Sequence, residues 1–249
     1  MCLVNFQFQV HPNYPLIVVA NRDEFYERPT EPAHFWEDHP TILAGRDLLQ
    51  MGTWLGVSKA GRFAALTNFR DPQLKPGHLS RGDIVRDFLI GQQEPLDFIE
   101  ELKKSRDSYG GYNIVIGDSH QLFHYNNILD KMNEVSPGTH SLSNHTLNTP
   151  WPKVEKGKQS LAEHLLLDNI EVGPLFDLLT DESVAQDSEL PDTGVGIELE
   201  RSLSPLFIKM TNYGTRSSTV LLMDENQNIT FAERTYYKGK MHSEKFFEL

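Results

Sequence analysis

MCLVNFQFQVHPNYPLIVVANRDEF (residues 1–25) is the stretch on which the fold of this chain turns. Cys2, Val4, Phe6, Phe8 and Val10 alternate with Leu3, Asn5, Gln7 and Gln9, the two-residue period of a half-buried strand. HPNYP (11–15) has the proline and asparagine of a turn, and LIVVA (16–20) reads as a second, fully apolar strand. Together they predict a hairpin. With its turn centred near residue 13, antiparallel pairing puts Cys2 opposite Glu24, or opposite Arg22 or Asp23 if the register slips by a residue or two.

Cys2 is the one cysteine among 249 residues, and it lies directly behind the initiator methionine. Methionine aminopeptidase removes Met1 when the second residue is small, so Cys2 is expected as the mature N-terminus. One residue would then carry a thiol and a free α-amine, with ordinary pKa values of about 8.5 and about 8. The amine can take the thiol's proton directly or through water, giving a nucleophile with its own base. From position alone two roles stay open: nucleophile, or small apolar residue on the inner face of a strand. Asn21, Arg22, Asp23 and Glu24 are predicted beside the thiol. Arg22 suits a thiolate or a bound carboxylate, and Asp23 suits an ammonium, although the same four residues also suit a solvated turn.

Residues 52–70 read as a second hairpin turning at SKAG, and GGYNIVIGD with QLFHYNN as a third across DSHQ (118–121). Between them, Ser80 as N-cap and Gly91 as stop bracket one helix, and residues 95–105 form another that opens on Pro95. Residues 150–168 and VGPLFDLLTD carry a second helical block, and 181–205 read as a polar, irregular surface excursion. SSTVLLMDENQNITFAERTYY closes as a hairpin turning at DENQN. This order fits an α+β fold with helices segregated onto layered antiparallel sheets, in one domain over residues 1–249.

Further polar residues stand at predicted strand ends. Asn68 (LTNFR) and Asn144 (LSN) offer uncharged amide donors of the kind an oxyanion hole needs, and Arg216 is a second cation for an anionic substrate. Taken singly, each also suits a turn or a cap. Trp54 in GTWLGV suits the core or a pocket wall. The 10 histidines show no metal-ligand spacing and no nucleotide loop is present, so no metal or cofactor is expected.

The formal net charge is −12, which repels phosphate backbones and argues against nucleic acid as a general partner. No run approaches the roughly 20 apolar residues of a membrane helix, and Asn5, Gln7 and Gln9 break any signal-peptide pattern. A lone cysteine forms no internal disulfide. A soluble, cytoplasmic protein is expected.

The motifs MC, ANRDEF…RP, GTWLGV, LTNFR, SRG…FL, YNIVIGD, LSN…PWPKV and GTRSSTVLLMD…F.ER.Y occur in this order. They resemble the NRDE family, also called Transport and Golgi Organization two-like, over nearly the whole chain. That family is similar to the cysteine N-terminal-nucleophile hydrolases, such as choloylglycine hydrolases and penicillin V acylases. The resemblance implies a four-layer αββα sandwich and cleavage of a non-peptide amide C–N bond. It makes Cys2 the nucleophile, with Arg22, Asn68, Asn144 and Arg216 matching the arginine after the second strand, two asparagines and a late arginine. Those hydrolases carry an aspartate three residues after the first arginine; here that position is Phe25, which leaves Asp23 or Glu24 to steady the ammonium. Members of the NRDE family are also linked to secretory organisation, lipid and acyl-coenzyme A metabolism, and haem trafficking. The resemblance therefore implies two kinds of partner: a small amide or acyl substrate for an enzyme, or haem, lipid or acyl-coenzyme A for a carrier. No Cys-Pro haem motif is present, because Leu3 follows Cys2.

Overall fold

A computed structural model describes residues 2–166 and 170–249. The opening hairpin forms from β1 (Cys2–Phe8) and β2 (Leu16–Phe25). Phe8 pairs with Leu16, which centres the turn on residue 12, and the Gln9 N–H closes the loop on the Pro15 carbonyl. This corrects the expected register by two residues: Cys2 lies opposite Arg22, not Glu24.

Around this hairpin stand β3 (Thr30–Phe35), β4 (Ile42–Asp47), β5 (Leu55–Ser58), β6 (Phe63–Asn68), β7 (Tyr112–Gly117), β8 (Leu122–Asn126) and β9 (Lys131–Glu134). They make a seven-stranded antiparallel sheet in sequential order. A second sheet joins β10 (Gly138–Leu142), β1, β2, β11 (Tyr213–Met223), β12 (Ile229–Tyr237) and β13 (Lys240–Glu248), in that order. The second hairpin, the third and the closing one form where the turn residues place them. The strands at 30–35, 42–47, 131–134, 138–142 and 240–248 carry no such turn signal and extend the two sheets at their edges. β13 forms an outer edge, with most of its residues exposed and Lys240, Glu244, Lys245 and Glu248 among them.

Four layers result. Val4, Phe6, Phe8, Leu16, Val18 and Ala20 point between the sheets and meet Leu55, Val57, Phe63 and Val115 of the other sheet. Each such buried side chain contributes about 1.5–3 kcal/mol of transfer free energy. Helices α1 (Arg81–Ile90) and α2 (Pro95–Lys104) cover the outer face of the seven-stranded sheet through Ile84, Phe88, Ile99 and Leu102. Helices α3 (Pro152–His164) and α4 (Val172–Asp177) cover the other sheet through Leu161, Leu175 and Phe176, which pack on Ile17 and Val19. The end of the first predicted helix of this pair, at 167–168, lies outside the described residues.

Three further expectations are revised. β1 is buried at all seven residues, because α3 covers the face that the alternating polar residues suggested was wet. Asn5 there accepts from the Ser141 hydroxyl, and Gln7 donates to Thr139. Ser80 stands at the N-cap of α1 but makes no side-chain capping bond. The 181–205 excursion is anchored: it contains α5 (Ile197–Ser202), whose buried Glu200 binds Arg70 and Thr193.

The seat of α3 on β1 is tight at Gly157, where an added Cβ would lie 2.4 Å from Asn5 Oδ1. Alanine normally favours a helix over glycine by about 1 kcal/mol. Here the pinned Asn5 side chain reverses the sign, and Gly157→Ala is expected to destabilise the fold by roughly 1–3 kcal/mol in urea denaturation.

Candidate active site

A cleft of about 730 Å³ opens between the two sheets at the end where β1 begins and β2 and β6 finish. Cys2, Arg22, Asp23, Asn68 and Arg216 all line it. Cys2 is 7% exposed, and the Asp23 backbone N–H donates to its sulfur. Burial pushes the thiol up, and the Asp23 charge adds to this, while Arg22 opposes it.

Arg22 reaches across the cleft to Asp47 of β4, at 3.4 Å. Arg28 binds the same carboxylate, and both guanidinium groups approach Glu24 at 3.9–4.0 Å. Burial acts to raise Asp47, but the Arg28 hydrogen bond, the Gln50 N–H and the two arginine charges outweigh it and hold the carboxyl below its ordinary value. Arg22 is thus fixed by a charge-assisted bond to the opposite sheet.

Asp23 is buried, and its Oδ1 accepts from the Thr215 hydroxyl at 2.8 Å. Burial pushes its carboxyl up, against the charges of Lys153 and Arg22. Phe25, three residues after Arg22, is exposed and packs edge-on against Tyr213. Met1 lies outside the described residues.

The two asparagines are brought together but not equivalently. Asn68 ends β6 at the cleft wall. Asn144 is fully buried behind it and does not line the cleft: its Nδ2 donates to the Asn68 carbonyl at 2.9 Å. Its carbonyl in turn accepts from the Arg70 N–H, and the neighbouring Ser143 hydroxyl donates to the Cys2 carbonyl. Arg216 sits at a bulge in β11 between Thr215 and Ser217. Its Nη1 donates to the carbonyls of Phe25, Tyr26 and Arg28, so it straps the β2–β3 connection as well as lining the cleft. Trp54 both packs on the inter-sheet core and lines the cleft.

Three buried or part-buried charges escaped the reading of the sequence. Arg81, the first residue of α1, lines the cleft with one Nη1 bond to the Gly111 carbonyl; burial lowers its pKa and Cys2 is the first charge acting on it. Glu233 lies two residues after the core residue Phe231 on β12, so strand alternation aims it between the sheets, where its Oε1 accepts from the Ala33 N–H of β3 at 2.6 Å. Lys153 is buried in the first turn of α3. A signal for it was present: a lysine at a helix N-terminus opposes the helix dipole, and an inward-facing glutamate breaks the apolar alternation of its strand.

Among the described residues no helix is long and apolar enough to cross a membrane. A family model described as Transport and Golgi organisation 2 matches residues 1–238. The Mus musculus Transport and Golgi organization 2 homolog is 34% identical over 260 residues, covering 94% of this chain and 93% of its own. The Homo sapiens homolog shows the same identity and coverage. Among solved structures, the mutant C2A conjugated bile acid hydrolase from Clostridium perfringens superposes with a TM-score of 0.54 at 9% identity, covering 99% of this chain and 96% of that one. That likeness is one of fold, and the fold is that of the N-terminal-nucleophile hydrolases.

Burial raises Glu233 from 4.5 to about 7, against the Ala33 N–H, the Arg22 charge and Ser217. Between these values the folded protein holds a proton that the unfolded chain has released, so this group lowers stability as pH rises through the window. Glu233→Gln is expected to remove about 3 kcal/mol of that fall. Urea denaturation of both proteins at pH 5 and pH 8 measures it; parallel pH dependences in the two proteins would contradict the assignment.

Proposed function

Because the chain belongs to the Transport and Golgi organisation 2 family and has the N-terminal-nucleophile hydrolase fold, we propose that it is a Cys2-dependent amidohydrolase-like protein acting on a non-peptide amide or acyl substrate. The observation that carries this reading is the lone thiol at the head of β1, opposite Arg22 and open to a cleft that also contains Asn68. The bile acid hydrolase of like fold has a cysteine at the same ordinal position, as its C2A description records.

In this scheme removal of Met1 frees the Cys2 amine, which takes the thiol proton. The sulfur forms a bond to the substrate carbonyl carbon, and negative charge collects on the carbonyl oxygen. Asn68, which lines the cleft, donates to that oxygen in this scheme, and Asn144, hydrogen-bonded to the Asn68 backbone carbonyl, supports that strand end. The C–N bond breaks as the ammonium returns its proton to the leaving nitrogen. Water then adds to the thioester and releases the acyl group and the thiol. Asp23 steadies the ammonium, and Arg22, anchored on Asp47, supplies positive potential at the cleft. Arg216 keeps the β2–β3 connection in place and adds a cation for an anionic substrate.

Two measurements test the proposal. Intact mass of the protein from cells is expected to lack the initiator methionine, and an electrophilic amide is expected to add mass on Cys2. Cys2→Ala should abolish turnover, by at least about 10³-fold, and leave substrate binding in place. Retention of Met1 in cells excludes the mechanism. If titration with haem or acyl-coenzyme A then shows binding that Cys2→Ala leaves unchanged, the carrier on the same fold takes its place. Cell fractionation tests the cytoplasmic location that belongs to the same proposal.

A further inference from the structure

Behind the cleft, and joined to it through Asp23, lies a group of charges of which the scheme above does not use Lys153, Arg70 or Glu200. β2 alternates, so Ile17, Val19 and Asn21 face the helix layer, with Asn21 Nδ2 donating to the carbonyls of Leu179 and Leu206. Asp23 continues that side. Facing it is the first turn of α3, where Trp151 and Val154 pack on Leu3 and Leu206 and carry Lys153 into the interior. Lys153 is 3% exposed, and its Nζ has no hydrogen-bond partner among the described residues.

A buried ammonium in such a place is held only by neighbouring charge. The charged and titratable groups acting on Lys153 are Arg70, Asp23, Cys2 and Glu200. Glu200 is already bound by the Arg70 Nη1 and by both donors of Thr193. Asp23 is therefore the carboxylate that balances Lys153, and Lys153 is the first positive charge acting on Asp23. The thiol is joined to this group through Asp23, whose charge works against a Cys2 thiolate, and Cys2 is itself among the charges acting on Lys153.

We propose that Lys153 is a positioning residue of the nucleophile: its buried ammonium is the counter-charge to Asp23, and it prevents the Asp23 carboxylate from opposing ionisation of the Cys2 thiol. The inference rests on the reading of Cys2 as the reactive group and adds a residue to that end of the site. Burial and the Arg70 charge lower Lys153 to about 8, so the counter-charge is present at neutral pH and fades above it. The same positive charge disfavours a proton on the Cys2 amine, which is what a base beside a thiol requires.

The test is the pH dependence of Cys2 alkylation by iodoacetamide, a neutral reagent, in wild type, Lys153→Met and Lys153→Arg. The inflection is expected to rise by about one pH unit in Lys153→Met, with roughly tenfold slower alkylation below it, and to stay near wild type in Lys153→Arg. An inflection unmoved in Lys153→Met overturns the inference, since a side chain that only fills space leaves the thiol's titration alone. Should Lys153→Met fail to fold, the wild-type protein still decides. In lysine-labelled protein the Lys153 signal is expected to titrate near 8 and to shift when Cys2 is capped with iodoacetamide, because coupled groups move one another equally. A Lys153 titration indifferent to the state of Cys2 overturns the inference. A thiol that responds to Lys153 in a protein with no amide turnover defeats the hydrolase reading and leaves this one standing; a turnover-competent thiol that ignores Lys153 does the reverse.

Discussion

The antiparallel pairing of β1 with β2, buried on both faces, is the constraint from which the site follows. A strand covered on both sides sorts its residues by the pleat into two different interiors. Cys2 shares its side with Val4 and Phe6, and Arg22 shares its side with Val18 and Ala20, all toward the opposing sheet. Asn21 and Asp23 share theirs with Ile17 and Val19, toward the helices. A slip of one residue would exchange these assignments and put the guanidinium among aliphatic helix side chains. The chemistry at the head of the hairpin is therefore inseparable from the packing along its length.

The pairing also explains the distribution of charge. On the cleft side, Arg22 and Arg28 converge on Asp47, so positive potential beside the thiol is anchored on the second sheet and does not depend on the strand that carries the cysteine. Glu233 makes a second crossing between the sheets, from β12 to the Ala33 N–H. Asn144 makes a third, from the end of β10 to the Asn68 carbonyl. These are among the polar links that tie together two sheets whose shared core is apolar and non-directional.

Much of this was legible in the sequence. Alternation in residues 2–8 and the turn residues at 11–15 give the first hairpin, and the glycine, proline and asparagine signals give three more. The register was out by two because the loop closes from Gln9 to Pro15, and nothing in HPNYP says where pairing stops. The edge strands at 30–35 and 240–248 lack clean alternation, since neither is half-buried in a regular way. The half-wet reading of β1 failed because a polar residue opposite a helix looks, in one dimension, like a polar residue opposite water. Lys153 and Glu233 each break a local rule, of the helix dipole and of strand alternation, but their burial is visible only once distant elements fold over them. Asn144 and Arg216 were found, but their bonding to backbone carbonyls is a tertiary fact that a strand-end position does not reveal.

β13 closes one sheet with an outward row of lysine and glutamate on an otherwise unpaired edge. An open ladder of amide groups is a template for another molecule's strand. Alternating charges of both signs oppose that addition, since an incoming copy must match its own charges against them and bury those it cannot match. Charge on this border of the six-stranded sheet thus works against strand addition there without a covering helix.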